Sequence, residues 1–161
     1  MNHLSRNAVL ALIGATLVLH TAEEYLEIPS FLSAGRLPQW LPRPSLMQNP
    51  HGIHVALVIA TVLPLAVITW AILRPHKVLL ILALFIESIL LVNAGWHIFA
   101  SVITGGYAPG VITAVLINLP FGIYVLRRAV KERWIGAPTA WKLMGTAVVL
   151  HLVALGSVLA G

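Results

Sequence analysis

Apolar residues run through this chain in five long stretches, separated by short segments with proline, glycine and charged residues. The stretches are continuous rather than alternating, and each is close to the roughly 20 residues with which an α-helix crosses a bilayer. Because only helices and closed barrels satisfy their backbone hydrogen bonds in lipid, this pattern predicts an all-α integral membrane protein, a bundle of five transmembrane helices. The predicted helices cover about residues 7–27, 52–73, 78–102, 109–130 and 139–159.

The longest connection, residues 28–50, combines five prolines with Trp40 and several other apolar side chains. Proline prevents a regular spanning helix, and an apolar segment with tryptophan is typical of chain that lies at the membrane interface. Two interpretations stay open, an interfacial linker and a lid over a site below it.

Composition agrees with a single transmembrane helical domain over residues 1–161. Hydrophobic residues make up 59% of the chain and charged residues 9%, whereas an average soluble domain has about 25% charged residues. The apolar run 8–19 resembles a signal peptide, but no cleavage site of small residues stands clear of it, so we interpret it as the first helix. The chain has no cysteine, which excludes disulfides, thiolate metal sites and cysteine nucleophiles.

The net charge is +5, and the ten basic residues are unevenly distributed between the predicted helices. If the five helices alternate in direction, Arg36 and Arg43 lie on one side of the membrane and the other eight lie on the opposite side. The positive-inside rule then places the N-terminus in the cytoplasm and the C-terminus outside a plasma or inner membrane. In a membrane protein such an excess reflects topology and lipid headgroups, so no nucleic-acid partner is expected.

Ionisable residues interrupt the predicted helices mainly in one half of the bundle. His20, Glu23 and Glu24 lie on one face of the first helix. With a rise of about 1.5 Å per residue, polar residues of four helices reach the middle or the outer half of the membrane. They are His20, Glu23, Glu24, His51, His54, Glu87, Asn93, His97 and His151. Because ionisable groups at membrane depth are costly, their convergence predicts one functional site.

Histidine and carboxylate ligands without sulfur suit iron, manganese or zinc. Bridging carboxylates with histidines at helical spacing hold two iron or manganese ions in helical bundles, and the number of carboxylates favours two iron ions here. A single zinc ion needs fewer ligands and leaves Glu23 or Glu24 as the catalytic base. Asn93 is expected to orient His97 or a carboxylate. The predicted metal ligands are His20, Glu23, Glu24, His51, His54, Glu87, His97 and His151.

Simpler roles compete for several of these residues. His51 and His54 at a helix start are also explained as interfacial histidines, and His151 as a buried histidine with a satisfied hydrogen bond. Glu87 is also explained as a charge-paired or protonated structural group.

The string from His20 to Glu24 resembles the motif of the HXXEE family of integral membrane proteins. A second block, 93–97 followed by 107–113 and Pro120, is similar to that family as well, so the resemblance reaches to about Pro120. It implies no established reaction. It implies a shared site, to which it assigns His20, Glu23, Glu24, Asn93 and His97, and it draws attention to Tyr107 as a supporting residue.

These observations predict a membrane-embedded di-metal oxidoreductase that acts on an apolar or lipid-like substrate and works with a redox partner. A zinc-dependent membrane hydrolase is the alternative enzyme. A non-catalytic transporter or structural component is the third interpretation, although polar residues confined to one half of a membrane form no path across it. The oligomeric state is left open by the sequence.

Overall fold

The computed structural model describes residues 4–35 and 50–160, and these form five long helices without strands. All five are long and apolar enough to cross a membrane, which confirms the predicted all-α five-helix fold. The helices are α1 (Arg6–Ser33), α2 (Pro50–Leu73), α3 (Lys77–Thr104), α4 (Val111–Lys131) and α5 (Ala137–Ala160).

The first helix is longer than predicted. It continues through Pro29 to Ser33, six residues beyond its predicted end, because a proline removes one backbone hydrogen bond and the neighbouring turns hold the helix together. It stops before Gly35, whose φ of +64° is readily adopted by glycine. The predicted connection 28–50 is therefore wrong at its start. Residues 36–49, on which the lid and linker interpretations depend, lie outside the described residues.

One turn of α4 is irregular. Residues Ala114–Asn118 form a π-helical turn, in which the N–H of Leu119 donates to the carbonyl of Ala114. Pro120 follows and has no N–H, so it cannot restore the normal helical pattern at this point. Such π-turns occur frequently at functional sites. In this one the side chain of Asn118 is buried.

The apolar core occupies one half of the bundle. The first half of α1, the end of α2, the first half of α3 and the second half of α4 form it, with Leu10, Ile13, Leu84 and Val125 almost fully buried. Gly14 allows α2 to approach α1, since a Cβ there would lie 3.1 Å from Cδ2 of Leu65. This close packing leaves the other half of α1 to carry the polar motif.

The two ends of the bundle differ in charge. At the basic end, α1, α3 and α5 begin, and Arg6, Lys77 and Lys131 lie there. At the motif end, α1 and α3 finish and α4 begins, and a short loop with Tyr107 and Gly110 joins α3 to α4. Among the described residues the basic side chains therefore lie mainly at one end of the bundle; Arg36 and Arg43, which the prediction places at the other end, lie outside the described residues.

Large apolar side chains also cover outward faces of α2 and α5. Leu63, Trp70, Val149 and Leu152 are each about 60% exposed. Exposing them to water forfeits about 25 cal/mol per Å² of apolar surface. Lipid chains would cover these faces, which is compatible with an integral membrane protein.

Candidate metal centre

Three side chains of α1 and α3 converge in the motif half of the bundle. His20, Glu24 and His97 each offer one ligand-type atom, and these atoms lie within 4.8 Å of one another. Glu24 Oε1 is 3.1 Å from His97 Nε2 and 4.0 Å from His20 Nε2. His20 and His97 are buried, at 1% and 8% exposure. Among the described residues, no other group of three or more such side chains comes together in this way.

Asn93 lies between the two histidines. Its Nδ2 is 2.9 Å from His20 Nε2 and 3.0 Å from His97 Nε2. Asn93 precedes His97 by one helical turn, so α3 presents both side chains to α1 on the same face. A carboxamide can place either its NH₂ group or its carbonyl oxygen in this position. The prediction that Asn93 orients His97 agrees with this contact, which also includes His20.

The second nitrogen of His20 determines how its ring is oriented. His20 Nδ1 lies 2.7 Å from the hydroxyl of Thr113, and that hydroxyl lies 2.6 Å from Glu23 Oε2. A carboxylate only accepts, so Thr113 donates its single proton to Glu23 and accepts one from Nδ1 of His20. Nε2 of a neutral His20 then carries a lone pair, which faces Asn93. Such hydrogen bonds to the far nitrogen are typical of histidines that bind metals.

Glu23 has a different environment from Glu24. Its carboxylate accepts the Tyr107 hydroxyl at 3.0 Å and the backbone N–H groups of Ile112 and Thr113 at 3.1 and 2.8 Å, in addition to the Thr113 hydroxyl. It therefore caps the N-terminus of α4 from a neighbouring helix, where a negative charge is favourable. The structure thus places Glu23 outside the group of three converging atoms, and its role as a ligand or base stays a prediction.

Tyr107 supports this cap from the loop between α3 and α4. Burial raises the pKa of its hydroxyl, and the hydrogen bond that it donates to Glu23 raises the pKa further. The phenol therefore stays protonated and remains a donor to Glu23 across the physiological pH range. This geometry gives Tyr107 the supporting position that the family resemblance implied.

Gly110 brings the same loop against both imidazoles. Its φ is +88°, and a Cβ at this position would lie 2.8 Å from His97 Cε1 and 2.9 Å from His20 Cε1. Only glycine fits both the backbone conformation and the space. The two rings beneath it are arranged edge to face, with centroids 4.8 Å apart. The loop thus covers the histidines and fixes their relative position.

The other predicted ligands are not brought into this group. Glu87 is 1% exposed, but it is ten residues before His97 on α3, which corresponds to about 15 Å along a helix. His54 stacks on Tyr25 at a centroid distance of 4.0 Å. The remaining two are His51, which is exposed at the start of α2, and His151, whose ring is 6.2 Å from that of Trp96.

Two residues that support the site received no role from the sequence. Thr113 connects His20 to Glu23, and Gly110 packs on the histidines. Both belong to the second block of the family resemblance, which was the only signal that pointed to them. Hydrophobic periodicity carries no information about such contacts, because they depend on how the loop folds back over α1.

The segment that builds this centre is also the segment that matches a known family. No curated protein and no solved structure matches the chain. The model of a family described as "Protein of unknown function with HXXEE motif" matches residues 11–125, well over half of the chain. The matched span contains the converging side chains and the loop that covers them, and it leaves out α5. The chain therefore belongs to the HXXEE-motif family.

Proposed function

We propose that the protein is a membrane metalloenzyme with one divalent metal ion bound by His20 Nε2, His97 Nε2 and Glu24 Oε1. The convergence of these three atoms within 4.8 Å carries the proposal. If His20 and His97 both carry their proton on Nδ1 and Glu24 is ionised, acceptor lone pairs face one another across contacts as short as 3.1 Å. A metal ion compensates such a group, and two histidines with one carboxylate are a common protein set for zinc.

The surrounding side chains suit this role. Thr113, held by Glu23, accepts the Nδ1–H of His20. Asn93 contacts the two Nε2 atoms that would bind the ion, so it would turn its carbonyl oxygen, not its NH₂ group, toward a bound ion. Gly110 covers the rings. Partners of this kind fix the orientation of metal-bound histidines, and their loss typically lowers metal affinity about 10- to 100-fold.

The reaction that fits best is hydrolysis of an ester or amide bond in an apolar, lipid-like substrate. Three protein ligands leave a fourth position open, and a zinc ion so held supplies hydroxide near neutral pH. His20 and His97 provide neutral nitrogen ligands, and Glu24 provides the compensating charge. The apolar outer faces of the helices favour a substrate that arrives through the lipid.

Oxidation is the second candidate, because two histidines and one carboxylate also bind a single non-haem iron ion. The two-iron or two-manganese centre predicted from the sequence needs further carboxylates. Glu23 already accepts four hydrogen bonds, and Glu87 is about 15 Å further along its helix. The geometry therefore favours one metal ion over two.

We further propose that the motif end faces the outside of a plasma or inner membrane. The basic residues Arg6, Arg74, Lys77 and Lys131 lie together at the opposite end, and such residues are retained on the cytoplasmic side. The metal centre would then serve substrates in the outer leaflet.

Elemental analysis of the detergent-purified protein tests the metal proposal. We expect about one equivalent of a divalent metal in the wild type and a loss of most of it in Glu24→Gln. Glu27→Gln is the matched control, because Glu27 lies one turn further along α1 and its described hydrogen bonds are with Ser30. Zinc would indicate the hydrolase and iron the oxygenase. A folded wild type without metal, after supplementation during expression, would contradict both.

A further inference from the structure

A cleft of about 380 Å³ lies at the basic end, far from the metal centre along the bundle. It is bounded by the start of α1, the turn between α2 and α3, and the turn after α4. Leu10 and Leu80 of the apolar core contribute to its lining. We call it the basic cleft, because Arg6, Lys77 and Arg133 line it. His76 and Trp134 line it as well.

Positive charge dominates the basic cleft. Arg6, Lys77 and Arg133 contribute three cations, and Glu132 is the carboxylate among the described lining residues. Glu132 Oε1 lies 2.7 Å from Nε of Arg128, so its charge is compensated within α4 and the adjoining turn. The lining therefore carries three cations against one carboxylate, which is itself paired with Arg128.

His76 adds a neutral donor to this set. It is the N-cap of α3, and its Nδ1 accepts the backbone N–H of Val78 at 3.3 Å. A neutral imidazole that accepts at Nδ1 carries its proton on Nε2. The free edge of the ring therefore offers an N–H to a ligand.

Arg133 adopts a backbone conformation that is unfavourable for residues other than glycine. Its φ is +59°, and no other described non-glycine residue has a positive φ. The N–H groups of Trp134 and Arg133 donate to the carbonyls of Ala129 and Val130 at 2.8 and 3.1 Å. This Schellman arrangement usually places glycine where Arg133 lies. The strained position is explained if the arginine side chain, which lines the cleft, has a use there.

We propose that the basic cleft binds a phosphate group, the chemistry shared by anionic phospholipid headgroups and small soluble phosphates. Arginine and lysine are the side chains with which proteins hold phosphate oxygens, and arginine does so with two parallel hydrogen bonds. Trp134, Leu10 and Leu80 suit the less polar part of a lipid next to its phosphate. The proposal does not depend on the metal centre, which lies in the other half of the bundle.

Binding titrations on the detergent-purified full chain test this and separate the two sources. One uses inorganic phosphate, and the other uses mixed micelles with phosphatidic acid, with phosphatidylcholine as the zwitterionic reference. Binding of phosphatidic acid without inorganic phosphate supports a lipid headgroup, and binding of inorganic phosphate supports a soluble ligand. The absence of binding by either probe, or equal binding of the two lipids without phosphate binding, would overturn the proposal.

Arg133→Gly removes the side chain from the cleft without lowering the stability of the fold, because glycine adopts the positive φ freely. We expect this variant to lose about tenfold or more in affinity for the probe that binds, with an unchanged or higher Tm. Arg127→Gln is the matched control, since it removes an exposed arginine of α4 that does not line the cleft. Equal affinities of the wild type and Arg133→Gly would overturn the assignment.

Discussion

Glu23 and Glu24 are neighbours in the sequence, yet they contact different parts of the molecule. Glu24 reaches His97 of α3, whereas Glu23 reaches the start of α4 through Thr113 and Tyr107. Adjacent residues of a helix point about 100° apart, as 3.6 residues complete a turn. The paired glutamates of the motif therefore reach two parts of the site: Glu24 the converging histidines, and Glu23 the start of the helix that packs beside them.

Glu23→Gln should show whether Glu23 acts as the cap of α4, as its contacts indicate, or as a metal ligand like Glu24. The amide replaces one acceptor with an NH₂ group that faces donors, so we expect a loss of about 1–3 kcal/mol in the free energy of unfolding. Metal affinity should fall about 10- to 100-fold, because Thr113 loses its anchor. Thermal unfolding and metal titration measure the two effects. A complete loss of metal with unchanged stability would instead make Glu23 a ligand.

Gly110→Ala should disturb the centre directly. The positive φ alone costs an alanine about 1–2 kcal/mol, and its Cβ would lie 2.8 Å from His97 Cε1. We expect a lower Tm and weaker metal binding. Gly106→Ala is the control, because a Cβ at Gly106 meets no atom within 4 Å. Equal behaviour of the two variants would contradict the close packing of the loop on the histidines.

At the scale of elements, the start of α4 is the part that organises the centre. Its first turn has no side-chain cap from Gly110 and instead receives the carboxylate of Glu23. The π-helical turn Ala114–Asn118 follows directly. The loop with Tyr107 completes the junction between α3 and α4. Sequence patterns predicted α4 as a plain helix, because a π-turn and a cap from another helix depend on tertiary contacts.

The Tyr107 contact predicts a specific response to alkaline pH. Because the folded-state pKa of Tyr107 is raised above its ordinary value of 10, its contribution to stability is present below pH 10 and is lost as the pH rises through the folded-state pKa. Tyr107→Phe should lower the Tm at neutral pH and show a shallower decline above pH 10. Paired thermal scans across this range measure the difference. Parallel curves would show that Tyr107 does not contribute to the alkaline transition.

At the scale of the whole molecule, the apolar core occupies the half of the bundle at the basic end, and the polar motif occupies the other half. The core packs tightly around Leu10, Ile13 and Leu84, while the outer faces of the helices remain apolar. Because the apolar core and the polar motif lie in different halves of the bundle, the motif end holds buried polar side chains without disturbing the packing of the core. The orientation of the bundle in the membrane then determines which leaflet the proposed metal centre faces.

Single-cysteine labelling can determine that orientation, because the chain has no native cysteine. Gly106→Cys lies in the loop of the motif end, and Gly136→Cys lies in the turn before α5 at the basic end. A Cβ at Gly106 meets no atom within 4 Å, and one at Gly136 makes only an ordinary van der Waals contact, 3.6 Å from Cδ of Pro138. In intact cells we expect a membrane-impermeant maleimide to label Gly106→Cys, and to label Gly136→Cys only after permeabilisation. The reverse pattern would place the metal centre in the cytoplasmic half.

The sequence by itself determined the five helices and most of their bounds, and it predicted which half of the bundle carries the polar residues. Continuous apolar runs leave few alternatives in lipid, and ionisable residues among them mark a site because burial is costly. The tertiary structure alone decided that, of the eight predicted ligands, His20, Glu24 and His97 form the converging group among the described residues, that Glu23 caps α4, and that Glu87 lies apart. The physical reason is distance along the chain: the contacts of His20 and Glu23 with α3, the loop and α4 join residues 73 to 93 positions apart. Such pairings follow from packing between helices, which periodicity within one helix does not encode.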